Sequence, residues 1–172
     1  MAIAKPFNLN KWVDDNRQFL KPPVGNKQIY FENDDFIVMI VGGPNGRKDY
    51  HFEDGEELFY QLEGDITLKI INDDGTPEDI QIREGDMFLL PPRIPHSPQR
   101  PANTIGLVIE RYRKEGEVDK LMWFCENCNN KLHEDTFEMT DIVTQLPPVM
   151  NNFMNSEELR TCNECGSVME KA

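Results

Sequence analysis

From about Gln28 to Phe124 the chain alternates short apolar or mixed runs with turn residues: QIYFE, FIVMIVG, LFYQLEG, ITLKII, DIQI, DMFLLP, IGLVIER and KLMWFC. Alternation over runs this short predicts strands, and their regular spacing predicts an antiparallel sandwich or barrel. ITLKII and DIQI are separated by NDDGTPE, in which Asp74-Gly75 predicts a hairpin turn. Ahead of the strands, LNKWVDDNRQFL spaces Leu9, Trp12, Val13, Phe19 and Leu20 with helical character, and KPPV at 21–24 stops that helix. Beyond Cys128 the pattern is mixed. EMTDIVTQL predicts a helix ended by Pro147-Pro148, and NNFMNSEELR predicts another. The stretch PPRIPHSPQR, 91–100, crowds four prolines around His96. It predicts a stiff, extended segment or a turn that aims the imidazole, rather than a helix or a central strand.

A chain of 172 residues is enough for one compact domain with a small appendage. No apolar run approaches the roughly 20 residues that a membrane-spanning helix needs, and MAIAKPFNLN lacks the apolar core of a secretion signal, so a cytoplasmic location is expected. The net charge of −13, from 31 acidic and 18 basic residues, repels nucleic acid and anionic membranes. It repels a small anionic substrate equally, so a site for one must carry its own cations.

The four cysteines, Cys125, Cys128, Cys162 and Cys165, form two C-x-x-C pairs with 33 residues between them. In a cytoplasmic chain this pattern reads as a tetrathiolate metal site, for which iron and zinc are both suitable; free dithiols are the alternative. Such a closed site has no open position for substrate, so its role is structural. The segment around it holds too little apolar material for a core of its own, and a bound metal offsets that deficit. The division expected is therefore 1–124 and 125–172.

His51 is followed by Glu57 and then by Gly64, while Gly85, Pro91 and His96 keep a similarly regular order. These two blocks resemble the paired motifs of the cupin superfamily, G-x5-H-x-H-x3,4-E-x6-G and G-x5-P-x-G-x2-H-x3-N. The resemblance implies a mainly β double-stranded β-helix, a jelly-roll-like barrel, with a short N-terminal helix and a small metal-bound tail. Three departures stand out: Glu53 replaces the second histidine, Arg93 the glycine after the proline, and Arg100 the asparagine. What remains is His51, Glu57 and His96, two histidines and a carboxylate. That set caps one face of an octahedral metal and leaves the other open, the arrangement of non-haem Fe(II) oxygenases. Glu56 and Glu53 compete with Glu57, and Glu53 shares strand parity with His51, so a fourth ligand stays open. His133 has no motif around it and is expected to be solvated or to support the site from outside.

A cupin followed by two C-x-x-C pairs, with Arg47, Arg100, Glu110 and PPRIPHSPQRP, closely resembles the single-cupin 3-hydroxyanthranilate dioxygenase family. The resemblance implies an Fe(II) enzyme that opens the ring of 3-hydroxyanthranilate with O2, a cytoplasmic homodimer, and a product that leads to quinolinate and NAD. It implies that Arg47 and Arg100 clamp the substrate carboxylate and that Glu110 is the substrate-binding base. The residues are consistent with that chemistry, because a planar guanidinium pairs with a carboxylate through two hydrogen bonds. From the strand alone, a salt bridge between Glu110 and Arg111 is the alternative, and a part for Arg93 is left open. Rival readings are another metal-dependent cupin, either a different phenolic oxygenase or a sugar isomerase, and a non-enzymatic ligand-binding cupin.

Overall fold

The computed structural model describes residues 5–22, 25–31, 35–139 and 142–171, and of residues 142–144 the backbone only. Two antiparallel sheets face each other. One holds β1 (Asn26–Gln28), β2 (Phe36–Gly42), β4 (Glu57–Glu63), β7 (Met87–Leu90) and β9 (Ile105–Arg111), in the order β1-β2-β9-β4-β7. The other holds β3 (Tyr50–Phe52), β5 (Ile66–Ile71), β6 (Pro77–Ile82), β8 (His96–Gln99), β10 (Asp119–Phe124) and β11 (Lys131–Phe137), in the order β11-β10-β3-β8-β5-β6. This is the mainly β, double-sheet architecture that the alternating runs predict.

The two-residue period of each strand puts one set of side chains between the sheets. Met39, Phe59, Ile66, Leu68, Ile70, Ile82, Leu90 and Val108 pack there as the central core. On the outer face of the first sheet, Ile40, Ile105, Leu62 and Leu107 are covered by Val13, Leu9, Trp12 and Leu20. Most of that cover comes from α1 (Leu9–Asn16), whose first turn is capped by Asn8 Oδ1 accepting from Lys11 N at 2.9 Å. A short 3-10 turn over Arg17–Phe19 completes the predicted helix.

Three expectations are corrected. β8 is an inner strand of its sheet despite Pro98, because its ladder to β3 is the single pair His51–His96 and the proline lies past the end of that ladder. The run predicted at QIYFE forms its strand earlier, at Asn26–Gln28, opposite Met39–Val41. α2 (Ile142–Asn155) runs through Pro147 and Pro148 instead of stopping there. Its residues Leu146, Val149, Met150 and Phe153 recur at helical spacing and pack on Leu121 and Trp123, and this packing outweighs the lost backbone bonds. α3 (Glu157–Arg160) follows, capped by Ser156.

The segment after residue 124 is bound closely to the barrel. β11 pairs with β10 along the full length of that strand, and Phe153 stacks on Trp123 with ring centroids 4.3 Å apart. No helix among the described residues is long and apolar enough to cross a membrane.

Candidate metal centre and substrate pocket

His51 on β3 and His96 on β8 are direct cross-strand partners, so the sheet itself brings the two imidazoles together, with ring centroids 5.4 Å apart. Glu57, the first residue of β4, faces them from the other sheet, and its Oε2 lies 2.8 Å from His96 Nε2. One donor atom from each of the three residues lies within 4.8 Å of the others, and all three are buried. Burial works to raise the Glu57 carboxyl, but His96 beside it reverses the effect and holds it below the usual range. Two imidazoles and one ionised carboxylate, converging between the sheets and all buried, fit a divalent transition metal.

The turns behind this convergence account for the motif's glycines. Gly64 and Gly85 have φ of 64° and 88°, a region costly for residues with a Cβ. Arg93 stands where the motif has glycine and takes φ 65°. Its guanidinium points outward to Asp54, at 2.7 Å, with 71% of the side chain exposed, so it is not directed into the pocket.

Arg100 is buried, 4% exposed, and has no carboxylate partner among the described residues. Its Nη1 reaches only Gln61 Oε1, at 3.4 Å, and its Nε has no partner. Burial pulls this guanidinium down to about 10, and the charge of Glu57 opposes that shift. Gly106 makes the room, since a Cβ there would meet Arg100 Nη1 and Gln61 Oε1, each at 2.8 Å. Arg47 is tied to the same region: Asn45 and Arg100 exchange two backbone hydrogen bonds, of 2.8 and 2.9 Å, and Gln99 Nε2 donates to Arg47 O at 2.9 Å. Its guanidinium pairs with the buried Asp49. It also lines a cavity of about 270 Å³ with Lys48, Tyr50, Lys69 and Phe124.

Glu110 is buried on β9, opposite Glu57, and pairs with Arg113 at 2.5 Å rather than with Arg111, which binds Glu117. Arg113 and Asp119 are the residues that sequence reasoning missed. Arg113 Nε and Nη2 hold both oxygens of Asp119, at 2.8 and 2.5 Å, and Asp119 Oδ2 lies 2.6 Å from His51 Nε2. Glu53 joins this group, its Oε2 3.1 Å from Arg113 Nη1, with burial and then the charge of Glu110 pushing its carboxyl up to about 9. One signal was available: Asp119 shares strand parity with Leu121 and Trp123, which places it on the inward face of β10.

The four cysteine sulfurs also lie within 4.8 Å of one another. The Cys125–Cys165 and Cys128–Cys162 sulfurs are 3.6 and 3.5 Å apart, far beyond a disulfide bond. Each pair forms the same loop. Asn129 N donates to Cys125 O and Gly166 N to Cys162 O, both at 2.9 Å, and Asn129 and Gly166 take φ 61° and 73°. These are the residue types that tolerate the left-handed region. The four thiols share protons. A hydrogen bond with Ser167 is the largest cause holding Cys165 down at about 5, whereas Cys128, against the lowering effect of its Asn130 backbone hydrogen bond, is pushed up to about 12 by burial and the neighbouring sulfurs. The His133 side chain is 22% exposed. It lies half-buried between Trp123 and Asp135, with its ring centroid 6.0 Å from that of Phe153.

The family model described as 3-hydroxyanthranilic acid dioxygenase matches residues 1–154. The chain belongs to the 3-hydroxyanthranilic acid dioxygenase family. Its relatives include the 3-hydroxyanthranilate 3,4-dioxygenase of Xanthomonas campestris pv. campestris (strain 8004), 55% identical over 96% of this chain and 93% of the relative. Another of that name, from Bacillus thuringiensis (strain Al Hakam), is 45% identical over 95% of this chain and 90% of the relative. Among solved structures, a cupin-2 domain containing protein from Shewanella frigidimarina is 19% identical, with TM-score 0.47, over 57% of this chain and 90% of the other. The family model stops short of Cys162 and Cys165, whereas the Xanthomonas dioxygenase aligns over 166 residues.

Proposed function

We propose that this chain cleaves the ring of 3-hydroxyanthranilate with O2 to give 2-amino-3-carboxymuconate semialdehyde, at a ferrous ion held by His51, Glu57 and His96. The observation that carries the proposal is Arg100, a buried guanidinium without a carboxylate partner among the described residues, within electrostatic reach of Glu57. In a protein of net charge −13, a cation kept in that state marks the place of an anionic group of the substrate. Ferrous iron bound at the triad supplies the redox chemistry that lets O2 react with an aromatic ring.

The chain's own residues then do the following. Arg100 takes the substrate carboxylate, and Arg47, held to Asp49, adds a second positive charge at the same end. Glu110 stands opposite Glu57, paired with Arg113, and receives the proton that the phenol or amine loses on binding. The packed faces of the two sheets exclude water from these groups.

The same reading makes the enzyme a cytoplasmic homodimer that forms the precursor of quinolinate and hence of NAD. Residues 125–172 are a structural extension whose four thiolates hold iron or zinc. The decisive experiment loads the protein anaerobically with Fe(II), adds 3-hydroxyanthranilate and admits air. About one O2 consumed per ring opened is expected, and no ring-opened product would remove the proposal.

A further inference from the structure

We propose that Arg113 is a positioning residue that fixes Glu110 and His51 relative to each other across the two sheets. The proposal rests on the reading of Glu110 as substrate-facing and His51 as a metal ligand. Arg113 lies two residues past the end of β9, and its side chain turns back between the sheets, 8% exposed. One edge of its guanidinium grips both oxygens of Asp119 on β10, and Asp119 in turn contacts the His51 ring on β3. The remaining nitrogen, Nη1, grips Glu110 on β9 at 2.5 Å and lies 3.1 Å from Glu53. A rigid plane with donors on two edges therefore links the carboxylate beside the substrate to the ring beside the metal.

A purely structural tie explains this arrangement poorly. Three carboxyl groups, one of them the Glu53 carboxyl held neutral by its burial, are more than one guanidinium needs, and buried ion groups are commonly no more stable than an apolar replacement. What the group does supply is direction. A carboxylate on a histidine ring fixes the ring's orientation, and losing such a partner typically costs about 10–100-fold in metal affinity or activity. A lysine places one point charge where arginine places a planar fork, so it cannot hold Asp119 through two bonds and reach Glu110 as well.

The test compares wild type, Arg113→Lys and Asp119→Asn, each checked for folding by its thermal transition. Co(II) serves as the probe of the metal site, through its affinity and its visible spectrum, and kcat and KM are measured on the Fe(II)-loaded protein. Arg113→Lys is expected to weaken Co(II) binding about 10-fold or more, alter its spectrum, and lower kcat more than it raises KM. Asp119→Asn, which leaves Arg113 on Glu110, is expected to weaken Co(II) binding comparably while keeping more of kcat at saturating metal. Should Arg113→Lys fail to fold, Asp119→Asn carries the test through Co(II) affinity and spectrum. Wild-type Co(II) affinity and spectrum in the folded variants overturn the proposal. If wild type itself does not open the ring, the functional reading falls, and the Co(II) measurements still decide the part played by Arg113.

Discussion

Glu57 and Glu110 stand directly opposite each other on neighbouring antiparallel strands, both buried. Like charges in that relation repel, so each needs its own counter-group. Glu57 has His96 at 2.8 Å, and Glu110 has Arg113 at 2.5 Å. The division predicts two distinct phenotypes. Glu57→Gln removes a charged metal donor and should release the catalytic metal. Glu110→Gln should retain the metal yet lose about 100-fold or more in kcat, the contribution usual for a positioned base. Metal analysis of both purified variants beside their ring-opening rates checks this, and metal loss in Glu110→Gln would reverse the assignment.

Arg100 predicts an exchange of stability for function. A buried cation with no carboxylate partner among the described residues destabilises the fold, so Arg100→Met should leave the melting temperature unchanged or raise it. The same change removes the charged hydrogen bonds offered to the substrate, worth about 1.5–3 kcal/mol each, or roughly 10–150-fold in KM. Thermal unfolding and steady-state kinetics together decide it. A variant that melts much lower with KM unchanged would mean that Arg100 serves the fold alone.

The parts of this molecule legible in the sequence are those governed by local spacing. The double-sheet fold follows from short apolar or alternating runs such as FIVMIVG and ITLKII, separated by turn residues, which predict a sandwich or barrel. The convergence of His51, Glu57 and His96 was legible through the resemblance to the cupin motifs, whose intervals to Gly64 and from Gly85 this chain keeps, and both glycines sit in turns of positive φ. β8 was hidden because proline ordinarily argues against an inner strand, and Pro98 is admitted because it lies past the single pair that joins β8 to β3. The helix through Pro147 was hidden because its partners, Leu121 and Trp123, lie more than twenty residues away in the chain. Arg113 and Asp119 sit in RYRKEGEVDK, which reads as a charged surface turn. Their importance arises only where β9, β3 and β10 meet.

The Arg111–Glu117 pair makes a pH prediction of known sign. Hydrogen bonding to Arg111, and next to the Lys114 backbone, holds Glu117 down at about 2, against an ordinary 4.5. A depressed carboxylate contributes its stability fully above the unfolded value and loses it as pH falls toward the folded one. The pair is partly exposed, so the contribution is under about 1 kcal/mol. Urea unfolding at several pH values should show wild type and Glu117→Gln differing at pH 6, the difference shrinking below about pH 4 and closing near pH 2. A difference independent of pH would assign the effect to packing.

The stability of the metal-bearing extension should be inseparable from that of the barrel. Phe153 is fully buried and stacks on Trp123, which belongs to β10, the strand that also carries Asp119 and runs directly into Cys125. The aromatic stack thus holds the extension in place, and a metal bound by the four cysteines would hold it at the end of β10. Phe153→Ala opens a cavity in this shared core and should cost about 3–5 kcal/mol. Cys162→Ser, or removal of the metal by a strong chelator, should lower the same melting transition, because metal binding contributes directly to folding. Both effects should appear in one cooperative transition, since Leu121 and Trp123 bury against residues of the extension. Two separate transitions, with the barrel's unmoved by Cys162→Ser, would show instead that the extension folds independently and that its metal has no hold on β10.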